Sequence, residues 1–188
     1  SDYSYNYQVG KATIKSTSVF FYGSVLEGRA QDAIGTELAM TRSLSYKGTV
    51  TNLDGILLVS GDATVKVNLT SDTVYFGEVK GEEIANYAWN YAGLKDTSAS
   101  VKSTTFYYYE AGEDASGNPR SPAVASDANV TSESAMKISA TYKSTAKLTS
   151  EDANLLQSKT YYVGQKGDEI SDYSYNYQVG KATIKSTS

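Results

Sequence analysis

The sequence predicts an all-β protein composed of two tandem immunoglobulin-like β-sandwich units. Short segments alternate apolar and polar residues with the two-residue period of a half-buried strand. Tyrosine, threonine, valine and serine are frequent and only two prolines occur, which favours strands with polar outer faces. The sequence also repeats itself, first as an identical copy and then as a fainter similarity.

The strand candidates follow one another along the chain, with turn residues between them. In the first candidate every second residue is apolar, which gives the strand one largely aromatic face: Tyr3, Tyr5, Tyr7 and Val9. The candidates that follow are 12–22, 44–51, 63–69, 73–79, 87–91, 99–109, 136–148 and 159–164. A capped helical turn is expected within 149–156, with Ser150 as the N-cap residue.

The first eighteen residues of the chain recur without change as the last eighteen. Segments 1–18 and 171–188 both read SDYSYNYQVGKATIKSTS, which sets a period of 170 residues. Because drift blurs an old duplication, the copy is either part of a natural array of near-identical tandem repeats or a first segment appended to the end. Either explanation predicts that 171–188 pairs with the unit that precedes it.

A fainter repeat inside the period defines the units. Residues 81–91 read GEEIANYAWNY, and residues 167–177 read GDEISDYSYNY. The chain therefore divides into a first unit, a diverged second unit and the first strands of a third: 1–84, 85–170 and 171–188. Four residues mark the two predicted repeat boundaries: Glu83, Ile84, Glu169 and Ile170. An appended segment would not reproduce an internal boundary, so we favour the natural array.

The repeated first segment also predicts how the units are joined. An edge strand exposes unpaired backbone N–H and C=O groups, and a strand from the next unit can satisfy them. We expect the first strand of each unit to complete the preceding unit, and to bury the apolar residues of the last segment: Tyr173, Tyr175, Tyr177, Val179 and Ile184. The simpler alternative is that 1–9 is an ordinary first strand and that 171–188 extends into solvent.

The composition argues against enzymatic chemistry. The chain contains no cysteine and no histidine, which removes thiol nucleophiles, disulfides, the usual zinc ligand sets and histidine-based triads. We expect no catalytic residue and no cofactor. The net charge of −4 and the lack of a basic cluster disfavour nucleic acid as a partner. The longest apolar stretch, 56–59, is too short to span a membrane.

Short motifs suggest two kinds of minor site. Asn68 and Asn129 each begin a glycosylation sequon. The oxygen-bearing side chains of Asp114, Ser116 and Asn118 are spaced loosely like those of a calcium loop, although the downstream bidentate glutamate is missing. A solvated loop is the simpler interpretation of that segment, and no other metal site is predicted.

These features predict a non-enzymatic structural repeat of an extracellular fibre, stalk or tandem-repeat surface adhesin at the cell surface. The organisation resembles that of the high-identity repeat stalks of bacterial surface adhesins, which implies a mechanical role with adjacent repeats as the partners. One alternative is a self-assembling pilin or surface-layer subunit that polymerises by donor-strand complementation. Another is an adhesin module that binds a glycan or a host surface protein through tyrosine-rich faces.

Overall fold

The computed structural model describes residues 1–23, 28–92, 98–181 and 183–188. Within these ranges the chain forms thirteen strands: β1 (Tyr3–Tyr7), β2 (Ile14–Tyr22), β3 (Met40–Lys47), β4 (Leu58–Val59), β5 (Asp62–Ala63), β6 (Leu69–Phe76), β7 (Ile84–Ala92), β8 (Ser100–Tyr109), β9 (Ala123–Val124), β10 (Met136–Lys143), β11 (Leu156–Val163), β12 (Ile170–Tyr177) and β13 (Ile184–Thr187). A 3₁₀ turn at Ala153–Leu155 lies within the segment expected to be helical, but its N-cap residue is Asp152 rather than Ser150.

Eleven of the strands form one sheet in which every described pairing is antiparallel. The hydrogen-bonded order is β1-β2-β3-β6-β7-β8-β10-β11-β12-β13, with β9 paired to β8. β4 and β5 form a separate two-stranded sheet. Strands that follow one another in the chain are therefore neighbours, apart from short strands within long connections. The prediction of an all-β fold is confirmed.

The division of the strands into two β-sandwiches is not confirmed. β6 from the first predicted unit pairs with β7 from the second, so the sheet continues across the predicted boundary. A two-residue alternation indicates that one face of a strand is buried, but not whether a second sheet or a loop covers that face. In this chain, long connections between the strands supply the cover.

The connection between β3 and β6, residues 48–68, covers one face of the first half of the sheet. It contains the β4–β5 hairpin and contributes Ile56 and Ala63 to a hydrophobic cluster. Ile56 and Ala63 pack with buried residues of the sheet and its turns: Val19, Phe21, Leu44, Tyr46, Leu69, Trp89, Tyr91 and Ala99. This connection takes the place that the second sheet has in a sandwich.

Around β8 and β10 the sheet is covered on both faces. On one face, the connection between β10 and β11 packs on a cluster of buried residues: Phe106, Ala140 and Tyr142. On the other face, the connection between β8 and β10 contributes to a second cluster: Ile84, Tyr109 and Ala125. Because alternate strand residues point to opposite faces, Phe106 and Tyr109 can serve different clusters from one strand.

Part of the sheet presents hydroxyl and amide side chains that bond to one another. Asn90 Nδ2 donates to Thr105 Oγ1 at 3.0 Å, and the hydroxyl oxygens of Thr105 and Thr141 lie 3.0 Å apart. These contacts connect β7, β8 and β10 through cross-strand pairs. The strands are therefore linked by side chains as well as by backbone hydrogen bonds across the middle of the chain.

Candidate functional site

Two strand junctions lie at the predicted repeat boundaries. The first junction joins β6 to β7 through residues 77–83, and the second joins β11 to β12 through residues 164–169. Both join neighbouring antiparallel strands. The register shifts once within each pairing, just after Val74 in the first junction and just after Tyr161 in the second. The two junctions therefore share one pairing pattern.

A glutamate carboxylate closes the first junction. Glu83 Oε1 accepts a hydrogen bond from the backbone N–H of Met40 at 2.7 Å, and Oε2 accepts one from Gly81 at 2.9 Å. The carboxylate thereby ties the turn before β7 to the start of β3. Gly81 has a φ of +89°, a left-handed conformation that residues with a Cβ rarely adopt. The Gly-x-Glu pattern therefore has a structural cause.

Glu169 makes the same two kinds of contact at the second junction. Its carboxylate accepts hydrogen bonds from the backbone N–H groups of Met136 at 3.1 Å and Gly167 at 2.8 Å. Burial alone would raise the pKa of Glu169, but the backbone hydrogen bonds together outweigh it and hold the pKa below its ordinary value. The ionised carboxylate is thus the form that the second junction favours.

The isoleucine that follows each glutamate differs in burial. Ile84 is 8% exposed and packs with Tyr109 and Ala125, whereas Ile170 is 66% exposed. The cover over Ile84 comes from the connection between β8 and β10. The two junctions therefore have the same backbone contacts but differ in burial, since that connection packs over Ile84 and leaves Ile170 exposed.

The strand that follows each junction carries three aromatic residues at alternate positions. On β7 these are Tyr87, Trp89 and Tyr91, and the last two are 5% and 3% exposed. The corresponding tyrosines elsewhere are more exposed, with Tyr7 on β1 at 56% and Tyr173 on β12 at 37%. β7 lies in the middle of the sheet, whereas β1 is at one edge and β12 is next to the other. The aromatic face of β7 is buried because the connection 48–68 packs Ile56 and Ala63 over it.

A buried ion cluster lies beside Trp89 at the first junction. Asp72 is fully buried and accepts hydrogen bonds from Arg42 Nε and Nη2, both at 2.7 Å, and from Lys147 Nζ at 3.1 Å. Lys147 Nζ also lies 4.0 Å from the centre of the Trp89 ring, a cation–π distance. The indole Nε1 donates to the carbonyl of Leu148 at 2.8 Å. Strands from the first half and a connection from the second half thus converge on one carboxylate.

The five predicted strand-sharing residues lie in β12, in β13 and in the turn between them: Tyr173, Tyr175, Tyr177, Val179 and Ile184. Tyr173 stacks on Tyr161 of β11 with ring centres 4.6 Å apart, and Tyr175 contacts the same ring edge-on. Val179 lies beyond the end of β12, and Ile184 in β13 is 49% exposed. The structure therefore brings Tyr173 and Tyr175 against the preceding strand and leaves Ile184 at the outer edge.

The first strand is held at its start by an ion pair. Arg29 is 4% exposed and donates from Nε and Nη2 to the Asp2 carboxylate at 2.8 and 2.6 Å. Its Nη1 donates to the carbonyl of Leu53 at 2.6 Å, so one guanidinium ties the start of the chain to the connection 48–68. The hydrogen bonds from Arg29 lower the pKa of Asp2 below its ordinary value of 3.8.

The minor predicted sites lie outside the junctions. Asn129 is exposed, whereas Asn68 is half-buried immediately before β6. Asp114 Oδ1 accepts hydrogen bonds from the backbone N–H groups of Asn118 and Ser116 at 3.0 and 2.8 Å, which lower the pKa of Asp114. Its carboxylate thus closes its own loop. Across the described residues, no group of three or more His, Cys, Asp or Glu side chains is placed to hold a metal ion.

The ion cluster is not among the sites predicted from the sequence, although the sequence carries a signal for it. Arg42 is in phase with Leu44 and Tyr46 on β3, and all three are buried. Asp72 is in phase with Val74 on β6. A charged residue in the apolar phase of each of two strands predicts a buried ion pair, because an unpaired buried charge is costly.

Comparisons with protein-family models, with curated proteins and with solved structures gave no match. In the part of the chain that the structure describes, no helix combines the length and apolar character needed to cross a membrane. The feature that recurs in the described part of the chain is the junction, with one pairing pattern and one set of glutamate contacts at both places.

Replacing Asp72 by Asn leaves the buried Arg42 and the half-buried Lys147 facing a neutral amide. We expect the free energy of unfolding to fall by about 3–5 kcal/mol, measured by urea unfolding followed by circular dichroism. Asp62 also pairs with Lys147, but its side chain is 44% exposed. The control Asp62→Asn should therefore cost no more than about 1 kcal/mol. Equal losses for the two variants would contradict the structural role of the buried carboxylate.

Replacing Glu83 or Glu169 by Ala removes the acceptor for two backbone N–H groups. Each variant should lose about 1–3 kcal/mol of unfolding free energy, because hydrogen bonds to charged groups are stronger than neutral ones. Glu82 is exposed and adjacent, so Glu82→Ala is the matched control and should change stability by less than about 0.5 kcal/mol. Losses no larger than that of the control would show that the carboxylates do not hold the turns.

The ion pair at Asp2 predicts a pH dependence. Because the folded-state pKa of Asp2 is depressed, its stabilisation is present above the ordinary pKa of 3.8 and is lost as the pH falls through the folded-state value. The stability advantage of the native chain over Asp2→Asn should be constant from pH 7 to 5 and vanish in acid. Urea unfolding across this range measures it, and Asp172→Asn, in the same local sequence, is the control. An advantage that grows in acid would contradict the assignment.

Proposed function

We propose that this chain is a non-enzymatic structural repeat of an extracellular fibre, stalk or tandem-repeat surface adhesin, with its units joined edge to edge through paired strands. One observation carries the proposal: the same strand pairing, closed by the same glutamate contacts, occurs at both junctions. A join that recurs within one chain can recur between any number of units. Adjacent repeats are the partners that this arrangement requires.

The sheet geometry gives the proposed array a direction and a length. Eight strands of the sheet order, from β1 to β11, precede β12, whose sequence contains that of β1. Neighbouring strands are about 4.8 Å apart, so each period adds about 38 Å along the hydrogen-bonding direction. Adjacent strands also rotate by about 20–25°, so eight of them turn the ribbon by nearly half a revolution. The array would be a twisted ribbon rather than a string of flexible beads.

A chain of two periods, residues 1–170 followed by 1–188, tests this proposal. We expect small-angle X-ray scattering to give a maximum dimension about 38 Å longer than that of the 188-residue chain. The 188-residue chain is the reference and should be measured at the same mass concentration. A broad distribution of maximum dimensions, typical of two bodies on a flexible link, would contradict a continuous sheet.

The second candidate is a self-assembling pilin or surface-layer subunit. The observation that favours it is that identical segments lie at opposite edges of the sheet, in β1–β2 and in β12–β13. A subunit of this kind joins its copies through non-covalent strand pairing, whereas repeats of one array are joined by the chain itself. Electron microscopy of the purified 188-residue protein separates the two, since long filaments support the subunit and single particles support the array.

A further inference from the structure

The identical segments 1–18 and 171–188 form the same hairpin in two different surroundings. Tyr5 lies opposite Thr17 in the first hairpin, and Tyr175 lies opposite Thr187 in the second. Asn6 Nδ2 donates to Ser16 Oγ at 3.2 Å, and the equivalent bond in the second hairpin is 3.3 Å long. The turn glycines, at positions 10 and 180, have φ values of +75° and +83°. The hairpin therefore has this conformation whether or not β3 lies beside it.

The outer edge of the first hairpin is occupied, and that of the second is open. β2 pairs with β3, where Thr17 is fully buried and donates to the carbonyl of Gly48 at 2.7 Å. Thr187, the identical residue of β13, is exposed. Among the described residues, no strand pairs with the outer edge of β13. The second hairpin thus presents the same groups that bind β3 in the first.

Residues 1–18 can be exchanged without removing a residue of the hydrophobic cluster, since Thr17 would be replaced by the identical Thr187. Val19 and Phe21 are fully buried in the hydrophobic cluster and pair with β3 at Leu44 and Arg42. They follow directly after the repeated segment. If 1–18 left and another copy of the hairpin took their place, the end of that hairpin, Ser188, would lie next to Val19. The sheet would then have a break in the chain but no change in strand order.

We infer that residues 171–188 bind a second copy of this chain by replacing its residues 1–18 beside β3. Both flanks of the inserted hairpin are then covered, by β11 of its own chain and by β3 of the partner copy. Exchange of identical elements is a low-cost route to association, because the incoming hairpin forms the same bonds to β3 as the hairpin that leaves. The inference rests on the second candidate function, the self-assembling subunit, and names the segments that would join its copies. It can fail while the continuous sheet of a covalent array stands.

The ion pair at the start of β1 gives this exchange a charge requirement. In the free chain, the nearly buried Arg29 binds Asp2 through two hydrogen bonds. In the exchanged pair, Asp172 of the incoming hairpin would occupy the place of Asp2. The two aspartates then compete for one guanidinium, so removing Asp2 should favour the exchange and removing Asp172 should disfavour it. Non-specific association between chains would not distinguish the two aspartates.

Two 188-residue chains with one cysteine each can trap the exchange, because the unmodified chain contains no cysteine. Ser18 lies opposite Ser45, so Ser188 of the incoming hairpin should lie opposite Ser45 of the partner. Oxidised glutathione serves as the oxidant and leaves as reduced glutathione. We expect a mixture of Ser188→Cys and Ser45→Cys chains to form a mixed disulfide about tenfold faster than a mixture in which Ser116→Cys, at an exposed loop position, replaces Ser45→Cys. A synthetic peptide of residues 1–18 should suppress it. Equal rates at the two positions would overturn the inference.

The aspartate pair supplies a second, independent readout in the same 188-residue chains. Asp2→Asn in the Ser45→Cys chain weakens the resident hairpin and should raise the cross-linking yield about tenfold. Asp172→Asn in the Ser188→Cys chain weakens the incoming hairpin and should lower it by a similar factor. Circular dichroism confirms that each variant is folded before mixing. Changes in the same direction, or no change in either, would also overturn the inference.

Discussion

The buried carboxylate of Asp72 is the constraint on which the middle of this sheet depends. A desolvated carboxylate is tolerated only when cations and hydrogen bonds replace the lost water. Arg42 supplies one cation from β3, and Lys147 supplies another from the connection between β10 and β11. Because these residues belong to opposite halves of the chain, neither half can settle into its final packing alone. Trp89 also connects the two halves, because its ring contacts both Arg42 and Lys147 and its indole N–H donates to the carbonyl of Leu148.

The two junctions show how one local arrangement can serve in different surroundings. The backbone pairing and glutamate contacts are common to both, since they involve only strands and turns that are close in sequence or adjacent in the sheet. Burial differs because the cover comes from long connections elsewhere in the chain, which lie over Ile84 but not over Ile170. The local sequence therefore determines the strand pairing and glutamate contacts of a junction, and distant segments determine how far the junction is buried.

The sequence was informative about local structure and much less so about what covers the sheet. Alternation located most strands, and strand β2 was predicted within two residues of its observed start at Ile14. The candidate at 63–69 was wrong, because only Ala63 and Leu69 lie in strands and the residues between them belong to the connection over the sheet. Alternation also suggested sandwiches, since a half-buried strand looks the same under a loop as under a second sheet. The ion cluster joins residues that are far apart in sequence. A local pattern indicates such a cluster only where a charged residue stands at a position that should be apolar.

The placement of the two end strands at opposite edges of the sheet bears on how the molecule responds to tension. A pull on the two ends acts across the strands, so backbone hydrogen bonds are loaded one row at a time and peel open like a zipper. Each strand that separates from the sheet adds about 3.4 Å of extended chain per residue. Peeling therefore begins at the β13 edge, where Ile184 is 49% exposed, rather than at the β1 edge, where Arg29 holds Asp2. The force must rise when the opening front reaches the ionic cluster around Asp72.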